Sequence, residues 1–289
     1  MIDVLLTIGA FNVLIIIFKL FHKYGVDNLQ ALIVNYFVAG FCGIYFSDQH
    51  FSITYVLNAP WIYHAIAIGV LFILTFNLYA TGTQKVGVAI TTVANKLSLF
   101  IPVGFALILY PGEHLTIVKI IGFILAAIGI YLSSTKKKKL SFDKSYLWLI
   151  ILVFVGQGIA DTIFNNAQQT VVGNNDKGLF FTCLLIISGV IGILMLLIKS
   201  INKKPQLQLK NLIGGVVLGL PNFASLIFFF NALESSGFAA SQVFPVVSMG
   251  VVILSALVGL LLFKEKLTLS NWIGLGFAVL SIFMITFYD

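Results

Sequence analysis

No arginine occurs among the 289 residues; all 17 basic side chains are lysine. A voltage-sensing helix, which needs a run of arginines, is thereby excluded. Charge of either sign is scarce: 9% of residues carry one, against roughly 25% in soluble domains, so the chain cannot clothe a water-facing surface. There is no Gly-x-x-x-x-Gly-Lys-Ser/Thr loop, so the chain does not itself hydrolyse ATP. His-Glu-x-x-His is absent, the four histidines are scattered singly, and no ring-forming selectivity sequence occurs. No cofactor and no metal are expected. Both cysteines, Cys42 and Cys183, fall in apolar stretches and read as small hydrophobes. The start, Met1-Ile2-Asp3, lacks a basic leader and a small-x-small cleavage pattern, so the first apolar stretch reads as a retained span.

What the chain has in abundance is apolar surface: 60% of residues are hydrophobic and the mean hydropathy is +1.06. Stretches of about 20 residues, the length that crosses a bilayer, recur ten times. They lie at about 2–20, 29–46, 61–81, 86–109, 116–133, 146–163, 178–198, 211–232, 238–262 and 269–287. Lipid forces each backbone to satisfy itself, so every one is expected to be a helix. The expected fold class is an all-α integral membrane protein with ten transmembrane helices. Its partner is the lipid bilayer, and the formal charge of +7 does not mark a nucleic-acid binder.

The lysines carry the orientation. Fourteen fall in or beside the loops that follow odd-numbered spans, among them Lys136–Lys139, while only Lys119 and Lys177 follow even-numbered ones. This bias predicts that the lysine-rich loops are cytoplasmic and that both termini lie outside, in a multi-pass protein of the inner (cytoplasmic) membrane. Topology accounts for the run Lys136–Lys139, with a lipid-headgroup patch as the alternative.

The chain also repeats itself. Gly112-Glu113-His114-Leu115-Thr116 with Ile121-Gly122 matches Lys264-Glu265-Lys266-Leu267-Thr268 with Ile273-Gly274, and Gly87-Val88-Ala89 matches Gly237-Phe238-Ala239. A five-span unit has an odd number of crossings, so the second copy must be inverted relative to the first. The expected organisation is a first repeat over 1–134, a lysine-rich cytoplasmic linker over 135–145, and a second, inverted repeat over 146–289. Inverted repeats of this kind build secondary transporters, with the solute site near the midplane. Two five-span halves, each with a Glu-x-Leu-Thr turn before its last span, resemble the drug/metabolite transporter superfamily, EamA-like branch. The resemblance implies a carrier of small metabolites, uncoupled or driven by protons. It also implies that the first, third and fourth spans of each half wall a central cavity while the second acts as a gate.

Few polar side chains fall inside spans. Under the implied cavity assignment they are Asn12, Asn77, Asn95 and Lys96 in the first half, and Gln157, Asp161, Asn165, Asn222 and Gln242 in the second. Gln157, Asp161 and Asn165, spaced i, i+4, i+8, share one helix face. Phe11-Asn12 and Phe164-Asn165 occupy similar places in their halves. Lys96, near the middle of its span, lies beyond what its side chain can snorkel, and inserting such a charge costs at least about 2.5–3.5 kcal/mol. Asp161, near the end of its own expected span, is the candidate counter-charge. Either the two form a closed salt bridge, or Lys96 draws an anionic group of the solute and Asp161 an amine or a proton. The latter suits a zwitterion.

Pro102, Pro221 and Pro245 predict kinks in spans 4, 8 and 9. Phe228-Phe229-Phe230 reads as lipid or helix contact. Glu113 and Glu265, with Thr116 and Thr268, read as helix caps. Gly122, Ala126 and Gly129 predict a smooth face packed on the span carrying Gly274 and Gly276. The function expected is outward transport of a small organic solute, an amino acid or relative, by alternating access. The alternative is a membrane-embedded enzyme acting on a lipid-like substrate.

Overall fold

The computed structural model describes residues 1–47, 49–85, 88–109, 115–134, 144–202, 207–262, 264 and 267–287. Among them there is no strand. The helices, in chain order, are α1 (Ile2–Tyr24), α2 (Asn28–Tyr45), α3 (Ile53–Asn58), α4 (Ile62–Lys85), α5 (Val88–Leu97), α6 (Phe100–Leu109) and α7 (Ile117–Ser134). They continue with α8 (Leu147–Thr170), α9 (Lys177–Asn202), α10 (Leu209–Ser235), α11 (Ala240–Leu262) and α12 (Leu269–Phe287). Seven described stretches, on α1, α2, α4, α8, α9, α10 and α11, are long and apolar enough to cross a membrane; Val93–Leu109, Ile117–Ser133 and Leu269–Ile285 are shorter apolar segments. The chain is thus an all-helical protein of the multi-pass membrane type.

The apolar stretches read from the sequence all fall on helices, with corrected bounds. The short α3 went unforeseen, because six residues carry no periodicity to read. α8 runs on to Thr170, so Asp161 lies about two and a half turns inside the helix and not close to its end. The fourth stretch is not one helix but two, α5 and α6, parted at Ser98 and Leu99. The Glu113 and Glu265 turns, Gly87 and the Lys136–Lys139 run lie outside the described residues. Thr116 and Thr268 do cap: the Lys119 amide donates to Thr116 Oγ1 (3.2 Å), and Thr268 and Asn271 bond reciprocally (2.9 and 3.3 Å).

Glycine lets the helices approach closely. α7 and α12 run antiparallel, and a Cβ on Gly274 would come within 2.4 Å of the Ser133 amide, one on Gly129 within 3.0 Å of the Ala278 amide. Ala126 is fully buried in that seam. Gly276, expected in it, faces open space instead. α2 and α9 cross in the same way, where a Cβ on Gly43 would meet Thr182 Oγ1 at 2.4 Å. α2 also packs on α10, α1 on α10 and α11, α4 on α8 and α9, and α8 on α5 and α6.

Polar side chains tie the two ends of the bundle. At the end holding the α1–α2 and α9–α10 connections, Asn211 accepts from the Asp27 amide (2.9 Å) and donates to Gln30 (2.8 Å). At the opposite end, that of the α2–α4, α8–α9 and α10–α11 connections, Tyr55 donates to Asp176 (2.5 Å). There Gly237, at φ +81°, makes the α10–α11 turn that a side chain would strain. Large apolar residues on the outer faces stand exposed, with Tyr45 and Tyr63 near one end and Trp148 and Trp272 near the other, as amphipathic rings sit at membrane interfaces. Cys42 and Cys183 are free, half-buried, and packed against the core.

Candidate functional site

The site begins at the break between α5 and α6. Pro102 has no N–H to offer the Ser98 carbonyl, and its ring crowds that oxygen. The Ile101 amide takes the carbonyl instead at 3.0 Å, and the Leu99 amide turns back to Lys96 O at 3.4 Å. The Asn95 carbonyl, left without its helical partner, accepts the Ser98 hydroxyl at 2.5 Å. Lys96 therefore sits in the last turn of α5, where the negative end of the helix dipole favours a cation by about 0.3–1 kcal/mol.

From this break a polar chain crosses to α8. Asn95 Nδ2 donates to Gln157 Oε1 (3.3 Å), and Gln157 Nε2 donates to Asp161 Oδ1 (2.9 Å). α8 comes this close because residue 158 is glycine; a Cβ there would meet Ile101 Cδ1 at 2.4 Å. Lys96 and Asp161, both half-buried, feel each other's field, yet among the described residues no ion pair within 4.0 Å joins them. The ammonium instead lies 5.9 Å from the centroid of the Phe11 ring on α1, a cation–π contact. The arrangement holds a cation and a carboxylate apart, with hydrogen-bonding side chains between them. A solute carrying both an acceptor and a donor could engage both.

The remaining expected residues divide. Asn165, one turn beyond Asp161, is buried, and its Oδ1 has no hydrogen-bond partner. Asn12 is buried too; its amide donates to Ile8 O (2.8 Å), leaving Oδ1 without a partner. Their neighbours Phe11 and Phe164 both contact Phe229, at 6.3 and 5.8 Å between ring centroids, so these two positions converge on one ring. Asn77 on α4 and Asn222 on α10 are half-buried. Gln242 stands apart: it accepts from the Ala239 amide (3.0 Å) and donates to Ile285 O (2.9 Å), pinning the start of α11 to the end of α12. Sequence reasoning missed Phe11 as a seat for Lys96, although its polar neighbour Asn12 had drawn attention to the position. It also missed His64, which meets Asn166 Oδ1 through Nε2 (3.0 Å).

No family model matches the chain. A crystal structure of a protein 14% identical to it superposes with a TM-score of 0.77, covering 99% of this chain and 95% of that one, which shows a shared fold. An uncharacterized protein of Haemophilus influenzae (strain ATCC 51907 / DSM 11121 / KW20 / Rd) is 30% identical over 286 residues, 95% of this chain and 94% of its relative. Similarity of that depth along nearly the whole length means that the chain belongs to the family of this Haemophilus influenzae protein.

Proposed function

We propose that the protein is a secondary transporter of a small organic metabolite, of the EamA-like drug/metabolite type, working by alternating access. The observation that carries this reading is the helix break at Lys96 and its polar chain to Asp161. Discontinuous helices at membrane depth are tolerated where they line a cavity or are buried in protein, and transporters use them to bind solute.

The packing supports an inverted repeat. Exchanging α1 with α8, α2 with α9, α4 with α10, α5/α6 with α11, and α7 with α12 turns the most extensive helix contacts into other observed contacts. α1–α10 becomes α8–α4, α2–α10 becomes α9–α4, α1–α11 becomes α8 against α5 and α6, and α2–α9 and α7–α12 map onto themselves. In this reading ten spans form two halves, 1–134 and 146–289, with the lysine-rich end cytoplasmic. Lys96 attracts an anionic group, Asp161 and the Asn165 and Asn12 oxygens accept from an amine, and Gln157 orients the Asp161 carboxylate. An amino acid or a related solute fits, moving outward, with protons as the candidate coupling ion. Asn77 and Asn222 flank the same cavity.

The test is reconstitution in liposomes together with a thermal-shift screen of metabolites on wild type and Lys96→Ala. A ligand that stabilises wild type, loses that effect in Lys96→Ala, and crosses the bilayer unchanged supports the reading. Chemical conversion of the ligand, or equal stabilisation of both proteins by a transported solute, would overturn the mechanism or the site, respectively.

A further inference from the structure

Between the Lys96 seat and the lysine-poor end, aromatic rings form a continuous column. Phe11 touches Phe229 (6.3 Å between centroids), Phe229 touches Phe164 (5.8 Å), and Phe164 touches Phe230 (5.8 Å). The Lys177 ammonium caps the column, 5.5 Å from the Phe230 centroid. Phe164 and Phe230 are 2% and 0% exposed, whereas Lys96 and Asp161 are only half-buried, so the column is sealed beyond a site that is not.

Two contacts close the end of the bundle over this column. Lys177, at the start of α9, pairs with Glu234 at the end of α10 and reaches Asn231 Oδ1 at 3.4 Å. The residue before it, Asp176, accepts the Tyr55 hydroxyl from the α2–α4 connection. Adjacent residues thus strap α10 on one side and the α3 segment on the other.

Beside the column, however, lie polar atoms that the closed packing leaves without partners. Trp61 Nε1, His64 Nδ1, Asn165 Oδ1 and Gln168 Oε1 are buried with no hydrogen-bond partner. They belong to the turn leading into α4, its first turn and the last turns of α8, joined by the His64–Asn166 contact, and Trp61 abuts the column through Phe180 (6.0 Å). Leaving such an atom unpaired is costly, because it gives up its hydration and gains no partner in return. Four at one junction disfavour the closed arrangement, and the cost disappears where water or solute reaches them.

We propose that these four side chains line the route by which solute passes between the Lys96–Asp161 site and the lysine-poor end, and that the Lys177 and Tyr55 contacts hold an aromatic gate shut across it. The structure is then the conformation closed on that side. This gate rests on the transport reading, but its test reads accessibility and not flux.

In a background carrying Cys42→Ser and Cys183→Ala, Gln168→Cys is exposed to a membrane-impermeant methanethiosulfonate from the lysine-poor face of sealed vesicles. Labelling is slow with the contacts intact and rises about tenfold or more with Lys177→Met, as expected when a minor open state of about 1–10% becomes a major one. Lys177→Glu combined with Glu234→Lys restores most of the protection. Tyr55→Phe, on an exposed connection, raises labelling as well and carries the test should Lys177→Met fail to accumulate. Fast labelling with both contacts intact, or a rate unmoved by any of these variants, would overturn the gate. Labelling that responds in a protein that moves no solute would leave the gate standing and remove the transport reading.

Discussion

Lys96 is tolerated inside an apolar segment because several modest effects act on one ammonium. The end of α5 presents the negative pole of the helix dipole, Phe11 presents a ring face, and Asp161 acts at longer range. None alone matches the cost of placing a charge in hydrocarbon, and each leaves the ammonium free to exchange one partner for a solute. Gln242 teaches the opposite lesson, since both ends of its amide are occupied by backbone groups. Sequence cannot separate these cases, because a polar residue in a span has the same pattern whether it lines a cavity or ties two helices together. At the exposed end of the bundle, the Tyr55 hydroxyl donates to Asp176, which raises its pKa above the ordinary phenol value of 10.0. The sign follows: a raised pKa means the contact contributes fully below that ordinary value and is lost as pH rises through the raised one. Ultraviolet titration should therefore find one fewer late-ionising tyrosine in Tyr55→Phe than in wild type.

Among the elements, the α7–α12 seam gives the sharpest contrast. Gly274→Ala would drive a methyl into the Ser133 backbone, so it should lower stability by about 1–3 kcal/mol. Gly276→Ala meets nothing within 4 Å and gains helix propensity, so it should be neutral or slightly stabilising. Thermal melts in detergent of the two variants, side by side, check this. The seam itself was legible, as small residues at helical spacing in both segments foretell close approach. The break between α5 and α6 was not. Pro102 and Pro245 each have a serine four residues earlier, yet α11 runs through its proline while the fourth span parts. What differs is tertiary: Asn95 bonds Gln157, and Gly158 lets Ile101 press against α8. Local sequence carries no record of either partner.

For the whole molecule, the positions of the apolar helices could be read because a chain so poor in charge has few other ways to bury itself. The proposed topology has a direct consequence: reporters fused before Met1 and after Asp289 should both be active on the outer side, and one inserted near Lys137 on the inner. Termini on opposite sides would exclude an even number of spans. The chain crossing to α8 also bears on how the protein is made. Asn95 and Gln157 are 62 residues apart, so when the fourth apolar segment leaves the ribosome its partner has not been synthesised. Two ten-residue half-helices with a lysine at their junction are poor candidates for lipid on their own. This segment should therefore insert poorly in a chain truncated before α8 and well once α8 is present, which glycosylation mapping of the two chain lengths checks.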